Sequence, residues 1–253
     1  MRVVLLFAAI FFFFIHTYEC MKIVGGWEAI PHSRPYMAFI RSRNSVCDGT
    51  LIDMSWVLTA AHCHIDRFTE IKLGLHSLSR EDQYVQDFTV KRWLRYPYYD
   101  QDTLDHDLQL VQLSGSAKFT AAVKPLDLPT IFSDVDPDTI CATAGWGKTN
   151  NNDTRLSDKL MEVYLPAISR LKCAQMWPPN VITDNMMCTL FAQGGKDTCN
   201  GDSGGPLICQ GEMRGIISFG PDICGDPHRP AVYTFLTKAH VIWIKEEITK
   251  ETE

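Results

Sequence analysis

The sequence predicts an all-β protein: two six-stranded antiparallel β-barrels meeting at a cleft, closed by one C-terminal α-helix. Three observations point there. Short runs rich in β-branched and aromatic residues, broken by Gly, Pro, Asn or Ser, recur along the chain, which favours a sandwich or barrel over βαβ units. A stretch dense in proline and aspartate, PLDLPTIFSDVDPDT at 125–139, interrupts them with about six runs on either side, a balance that fits two small barrels. Helical spacing is read only near the C-terminus.

In order, the first half offers PYMAFIR (35–41), VCDGTLI (46–52), WVLTAA (56–61), EIKLGL (70–75), DFTVKRWL (87–94) and DLQLVQL (107–113). The second offers TICATAGW (139–146), KLMEVYLPAI (159–168), PLICQ (206–210), EMRGIISFG (212–220) and AVYTFL (231–236). In TKAHVIWIKEEITK, Ala239, Ile242, Trp243 and Glu246 recur at helical spacing behind Thr237, a residue type that caps a first turn, which predicts a helix over about 238–250.

The chain opens with Arg2 and an apolar run from Val3 to Ile15. That run is short beside the roughly 20 residues a bilayer span needs, and it reads as a secretory signal over residues 1–20. No later stretch is long and apolar enough for a membrane span. An exported chain is expected to form disulfides, and eight cysteines follow residue 22: Cys47, Cys63, Cys141, Cys173, Cys188, Cys199, Cys209 and Cys224. Composition does not choose their pairing. They contain no CxxC unit, which argues against a zinc site. Residues 23–253 carry 22 basic and 29 acidic side chains, a net charge of −7, against nucleic-acid binding. The basic residues Arg41, Arg43, Arg67, Lys72, Arg80, Lys91, Arg92 and Arg95 are interleaved with Glu81, Asp82 and Asp87 and read as an ordinary solvated face.

Three distant segments carry the chemistry. WVLTAAHC places His62 at the end of an apolar run; DHDLQLVQL places Asp107 before an alternating strand; GKDTCNGDSGGPLIC (195–209) places Ser203 among glycines. A serine hydroxyl is a weak nucleophile until a base removes its proton. His62 can take that proton near neutral pH and return it to a leaving amine, and Asp107 would orient the imidazole and stabilise its cation. His106, if in a strand, would face the other way from Asp107.

IVGG at 23–26, TAAHC at 59–63, Asp107–Leu108, GWG at 145–147 and GDSGGP at 201–206 together resemble the chymotrypsin/trypsin family of serine proteases over essentially residues 23–250. The resemblance implies the two-barrel fold, a peptidase domain at 23–253 divided near 125/126, and His62, Asp107 and Ser203 as catalytic residues. It implies an oxyanion hole from the N–H groups of Gly201 and Ser203. It pairs Cys47–Cys63, Cys141–Cys209, Cys173–Cys188 and Cys199–Cys224. Residues 21–22 become an activation dipeptide: cleavage after Lys22 frees the Ile23 amine, which pairs with Asp202, by a dipeptidyl peptidase or a trypsin-like activator. Asp197 takes the position that floors a pocket for Arg or Lys, Thr198 and Asn200 flank it, and Ser218, Phe219 and Gly220 match the strand that pairs with substrate backbone. Ala231 departs from the glycine usual in such pockets, and its methyl narrows the slot.

PHSRPYMA at 31–38, LGLHSLSRED at 73–82, YPYYD at 96–100 and CGDP at 224–227 resemble the granzyme A/K branch. That implies storage in granules of cytotoxic lymphocytes or secretion, protein substrates and serine protease inhibitors as partners. Two departures matter: Tyr98 replaces the cysteine that links granzyme A dimers, so a monomer is expected, and the chain is acidic. Leu75 and Ser77 fill the positions where calcium-loop relatives carry acidic and amide ligands, and Leu75 offers no oxygen, so no metal or cofactor is expected. Asn152 in NDT is an N-glycosylation acceptor. The rival readings are a digestive or plasma trypsin-like protease and a secreted binding homologue that has lost catalysis.

Overall fold

The structure, a computed structural model, describes residues 23–43, 45–179 and 181–250. The signal peptide and the activation dipeptide with Lys22 lie outside the described residues. A short strand β1 (Trp27–Glu28) comes first. Then β2 (Met37–Arg41), β3 (Val46–Asp53), β4 (Trp56–Thr59), β5 (Glu70–Leu73), β6 (Gln86–Arg95) and β7 (Gln109–Leu113) close a barrel in the order β2-β3-β4-β7-β6-β5. The ladders are antiparallel. In β6 exposed and half-buried positions alternate, the period expected of a strand with one face to water. Inside lie Trp56, Leu58, Ile71, Leu73, Leu108 and Leu110.

The second barrel follows: β8 (Ile140–Gly145), β9 (Met161–Ile168), a short helix α1 (Arg170–Met176), β10 (Met186–Thr189), β11 (Pro206–Cys209), β12 (Glu212–Phe219) and β13 (Ala231–Phe235). The order runs β9-β10-β13-β12-β11-β8, and β8 pairs with β9 to close the ring. Helix α2 (Lys238–Thr249) ends the fold, with Thr237 Oγ1 accepting from the N–H of His240.

The two ends of the chain strap the barrels to each other. β1 pairs with β9 of the second barrel, Trp27 opposite Glu162. Helix α2 instead buries Ile244, with Trp243 and Ile248 packed beside it, in the cluster of the first barrel. The buried positions of α2 are His240, Val241 and Ile244, while Ala239, Ile242 and Glu246 are exposed. The expected stripe is therefore wrong by about one residue, because His240 turns inward to meet His106, their Nε2 and Nδ1 2.8 Å apart. Three elements escape the sequence reading. β1 has only two residues, β10 (MMCT) has a single β-branched residue in four, and α1 buries only Cys173, so no stripe betrays it.

Among the described residues four disulfides are present: Cys47–Cys63, Cys141–Cys209, Cys173–Cys188 and Cys199–Cys224. Cys141–Cys209 spans 68 residues, so its loss would raise the entropy of the unfolded chain by about 4 kcal/mol.

Candidate active site

His62 follows β4 on a turn held from three sides. Cys63 is tied to Cys47 on β3. The buried Gln109 amide donates to the carbonyls of Ala60 and Cys63, both at 2.8 Å. The His62 N–H donates to Asp107 Oδ1 at 2.8 Å. Asp107, wholly buried just ahead of β7, faces His62 Nδ1 with Oδ2 at 2.6 Å. The same Oδ2 accepts from Ser218 Oγ at 2.6 Å, and the Asp107 carbonyl accepts from Thr234 Oγ1 at 2.9 Å. A carboxylate buried with several donors is held in place, and one that accepts from Nδ1 leaves Nε2 of the imidazole as the free acceptor. His106 does not occupy a strand: it sits in a turn at φ +52°, its Nδ1 on His240 and its Nε2 on Asn185, away from Asp107's partners.

Ser203 comes from the loop between α1's barrel-side strand β10 and β11. Its carbonyl accepts from the N–H of Asp48 at 2.8 Å, and the N–H of Gly204 donates to the carbonyl of Ile217 at 2.8 Å. Gly201 has φ +106°, and a Cβ there would stand 2.6 Å from Leu156 Cδ2 and 2.9 Å from Gly147 Cα. Only glycine fits. Among the described residues the N–H groups of Gly201 and Ser203 find no acceptor, so both are open to a ligand. Asp202 points the other way, inward, accepting from Gly147 N–H at 2.7 Å and Cys199 N–H at 2.8 Å.

His62 and Ser203 line one cleft of about 420 Å³, together with Leu104, Thr198, Asn200, Ser218, Phe219 and Gly220. Asp197 and Ala231 do not line that cleft; both are buried. Asp197 accepts from Thr198 N–H at 2.8 Å and Gly225 N–H at 2.9 Å. Burial pushes its carboxyl up to about 6 despite those donors, and the charge on Asp226 adds to the rise. A Cβ on Gly220 would lie 3.9 Å from Ala231 Cα, so Ala231 packs beside a residue that lines the cleft. Ile23 is fully buried against Met161, Val163 and Leu165 at φ +40°, an unfavourable conformation for a β-branched residue. The carbonyl of Val24 accepts from Asp197 N–H at 3.0 Å, joining that segment to the pocket floor. Tyr98 and Asn152 are both exposed. Sequence reasoning missed two contributors: Ser218 as a partner of Asp107, and Gln109 as the clamp on the His62 turn.

A two-barrel fold thus carries a His62–Asp107 contact and Ser203 at one cleft. A family model described as trypsin matches residues 23–244. Granzyme A of Bos taurus is 44% identical over 233 residues, covering 91% of this chain and 89% of that protein. Serine protease 1 of Homo sapiens is 37% identical, covering 90% of each chain, and Trypsin-2 of Salmo salar is 37% identical, covering 84% and 89%. The chain belongs to the trypsin family of serine proteases, and it is a trypsin-like serine endopeptidase related to granzyme A.

Proposed function

We propose that this protein is a secreted or granule-stored endopeptidase of granzyme A/K type that cleaves after Arg or Lys. The observation that carries the specificity is Asp197, a buried carboxylate next in sequence to Thr198, which lines the cleft that holds His62 and Ser203. A cation reaching it would be paired, whereas an acidic or neutral side chain would leave it alone in a dry site.

Ser203 Oγ attacks the scissile carbonyl while His62 Nε2 takes its proton. The N–H groups of Gly201 and Ser203 hold the oxyanion, and Asp107 stabilises the imidazolium. His62 then protonates the leaving amine, and water hydrolyses the acyl-enzyme by the same route reversed. Ser218, Phe219 and Gly220 pair with substrate backbone, and Thr198 and Asn200 line the approach. Activation is cleavage between Lys22 and Ile23 by a dipeptidyl peptidase or a trypsin-like protease. It removes the carbonyl that gives Ile23 its strained φ and frees an ammonium for Asp202. The enzyme acts as a monomer, carries glycan at the exposed Asn152 and meets serine protease inhibitors; nucleic acid and metal have no part in it.

The test is to cleave recombinant protein after Lys22 and profile it on a peptide library. Hydrolysis after Arg and Lys, abolished by a serine-directed fluorophosphonate, supports the reading. A free Ile23 with no turnover would instead support the catalytically silent binding homologue. Replacing Ala231 by Gly widens the slot by one methyl and is expected to raise kcat/KM on Arg and Lys substrates about tenfold; an unchanged value would show that the methyl is already accommodated.

Asp197 also predicts a pH dependence. Its carboxyl, raised to about 6, must be ionised to receive a cation. The affinity of a small amidinium inhibitor should therefore fall as pH drops through about 6 and level off above it. The linked stability has the opposite sign, being present at low pH and lost as pH rises through about 6. Calorimetric titration of the inhibitor at several pH values checks the binding arm.

A further inference from the structure

A second carboxyl stands beside Asp202, and no step of the mechanism uses it. Asp48, on β3, is completely buried. Its Oδ2 accepts from the N–H of Trp146 at 3.2 Å, and its Oδ1, also buried, has no partner. Gly145 marks the gap between the two groups. A Cβ built there would lie 2.2 Å from Asp202 Oδ1 and 2.4 Å from Asp48 Oδ2, so those oxygens are at most about 4.6 Å apart. Among the described residues neither carboxyl has a cationic side chain as a neighbour.

Two carboxylates this close in a dry site cannot both ionise cheaply. The donors decide which one does. Asp202 has two amide donors at 2.7 and 2.8 Å, whereas Asp48 has one at 3.2 Å and an orphaned oxygen. An orphaned oxygen is far less costly on a neutral acid than on an anion. Burial and, next, the charge on Asp202 hold the Asp48 carboxyl well above the usual carboxylate range, and burial lifts Asp202 too, to about 7, against its two amide donors. The other titratable groups facing the pair are Asp197, which adds like charge to Asp202, and the buried Tyr233. Across the Cys47–Cys63 bridge lies the His62–Asp107 pair. In the uncleaved chain all but His62 add negative charge or none; in the cleaved chain the Ile23 ammonium, itself titratable at alkaline pH, joins them as the positive charge.

We propose that Asp48 and Asp202 form a one-proton carboxyl pair in the activation pocket, and that loss of this proton sets the alkaline limit of the active conformation. With Asp48 neutral, the Ile23 ammonium of the cleaved chain meets one negative charge, and the pocket is balanced. Once Asp48 ionises, an uncompensated charge is buried beside the nucleophile loop. Asp48 is joined to that loop directly, since its N–H donates to the Ser203 carbonyl and its own carbonyl accepts from Thr59 Oγ1 at 2.7 Å. The pair thus acts on Ser203 through its loop, as a positioning device.

The pH-limit arm rests on the reading that cleavage frees the Ile23 amine; the protonation arm does not. Infrared difference spectra of the uncleaved Ser203→Ala chain at pH 7, with and without Asp48→Asn, should contain the C=O stretch of a neutral carboxylic acid that the Asn variant lacks. In the cleaved enzyme, Asp48→Asn should move the alkaline limb of kcat/KM upward by at least about one pH unit. Absence of the band, or superposable alkaline limbs, overturns the proposal. If Asp48→Asn does not fold, Asp48→Ala serves both arms, and a band in the parent chain that bleaches with rising pH reports the proton by itself. Cleaved protein with no turnover at any pH would refute the activation reading, while the band would still decide the pair.

Discussion

Replacing Asp107 by Asn lowers kcat by about 10⁴-fold with little change in KM, the scale of an amide swap at a serine-protease triad. The reason lies in the donors around this carboxylate. His62 N–H donates to one oxygen, and His62 Nδ1 and Ser218 Oγ both reach the other. An amide has a single acceptor oxygen. If that oxygen keeps the His62 N–H, the amide NH₂ meets Nδ1, the ring must shift its proton to Nε2, and Ser203 loses its base. If the amide turns over, the NH₂ meets the His62 N–H instead, and the turn clamped by Gln109 is disturbed. Ser203→Ala removes the nucleophile and costs about 10⁶-fold, down to what the oxyanion site alone supplies. Pre-steady-state kinetics on a cleaved, active-site-titrated enzyme separates the two. Asp107→Asn should still be acylated slowly by a fluorophosphonate, and Ser203→Ala not at all. An Asp107→Asn enzyme within tenfold of the parent would remove this carboxylate from the catalytic chain.

The local sequence carried the site further than it carried the supports of the site. His62, Asp107 and Ser203 each end or begin a stretch whose composition announces a turn, so their segments can be read without partners. Ser218 lies 111 residues from the carboxylate it contacts, and nothing in ISFG distinguishes a serine that hydrogen-bonds substrate strand from one that steadies a buried aspartate. Gln109 sits in DLQLVQL as an ordinary strand polar; only closure of the barrel turns it onto the His62 turn. The barrels themselves were legible because alternation is a local property, while the straps were not. β1 is two residues long, and its membership in the second barrel is decided by pairing with β9, more than 130 residues away. Helix α2 was legible as a helix, yet its inward face depends on a histidine finding another histidine across the fold. Asp48 left a trace: an acidic residue inside VCDGTLI, a run otherwise fit for a core. Such a residue in a strand buried along its middle demands either a partner or a proton.

Replacing Gly201 by Ala should lower kcat by 10² to 10³-fold, the cost of losing about one oxyanion donor, and should leave the binding of a small cationic inhibitor nearly unchanged. Two constraints act together at this position. The φ of +106° lies outside what an L-residue tolerates, and the new methyl would run into Leu156 Cδ2 and the backbone of Gly147. Leu156 can move, but Gly147 cannot without disturbing its N–H bond to Asp202 at 2.7 Å. The easier escape is rotation of the peptide between Asn200 and Gly201, which turns the N–H away from the cleft. That same movement leaves Asp197 in place, because its carboxylate is held from elsewhere by the N–H groups of Thr198 and Gly225, beside the Cys199–Cys224 bridge. The substitution should therefore separate transition-state stabilisation from ground-state recognition. Parallel losses in kcat and in inhibitor affinity would mean that the nucleophile loop and the pocket floor move as one body.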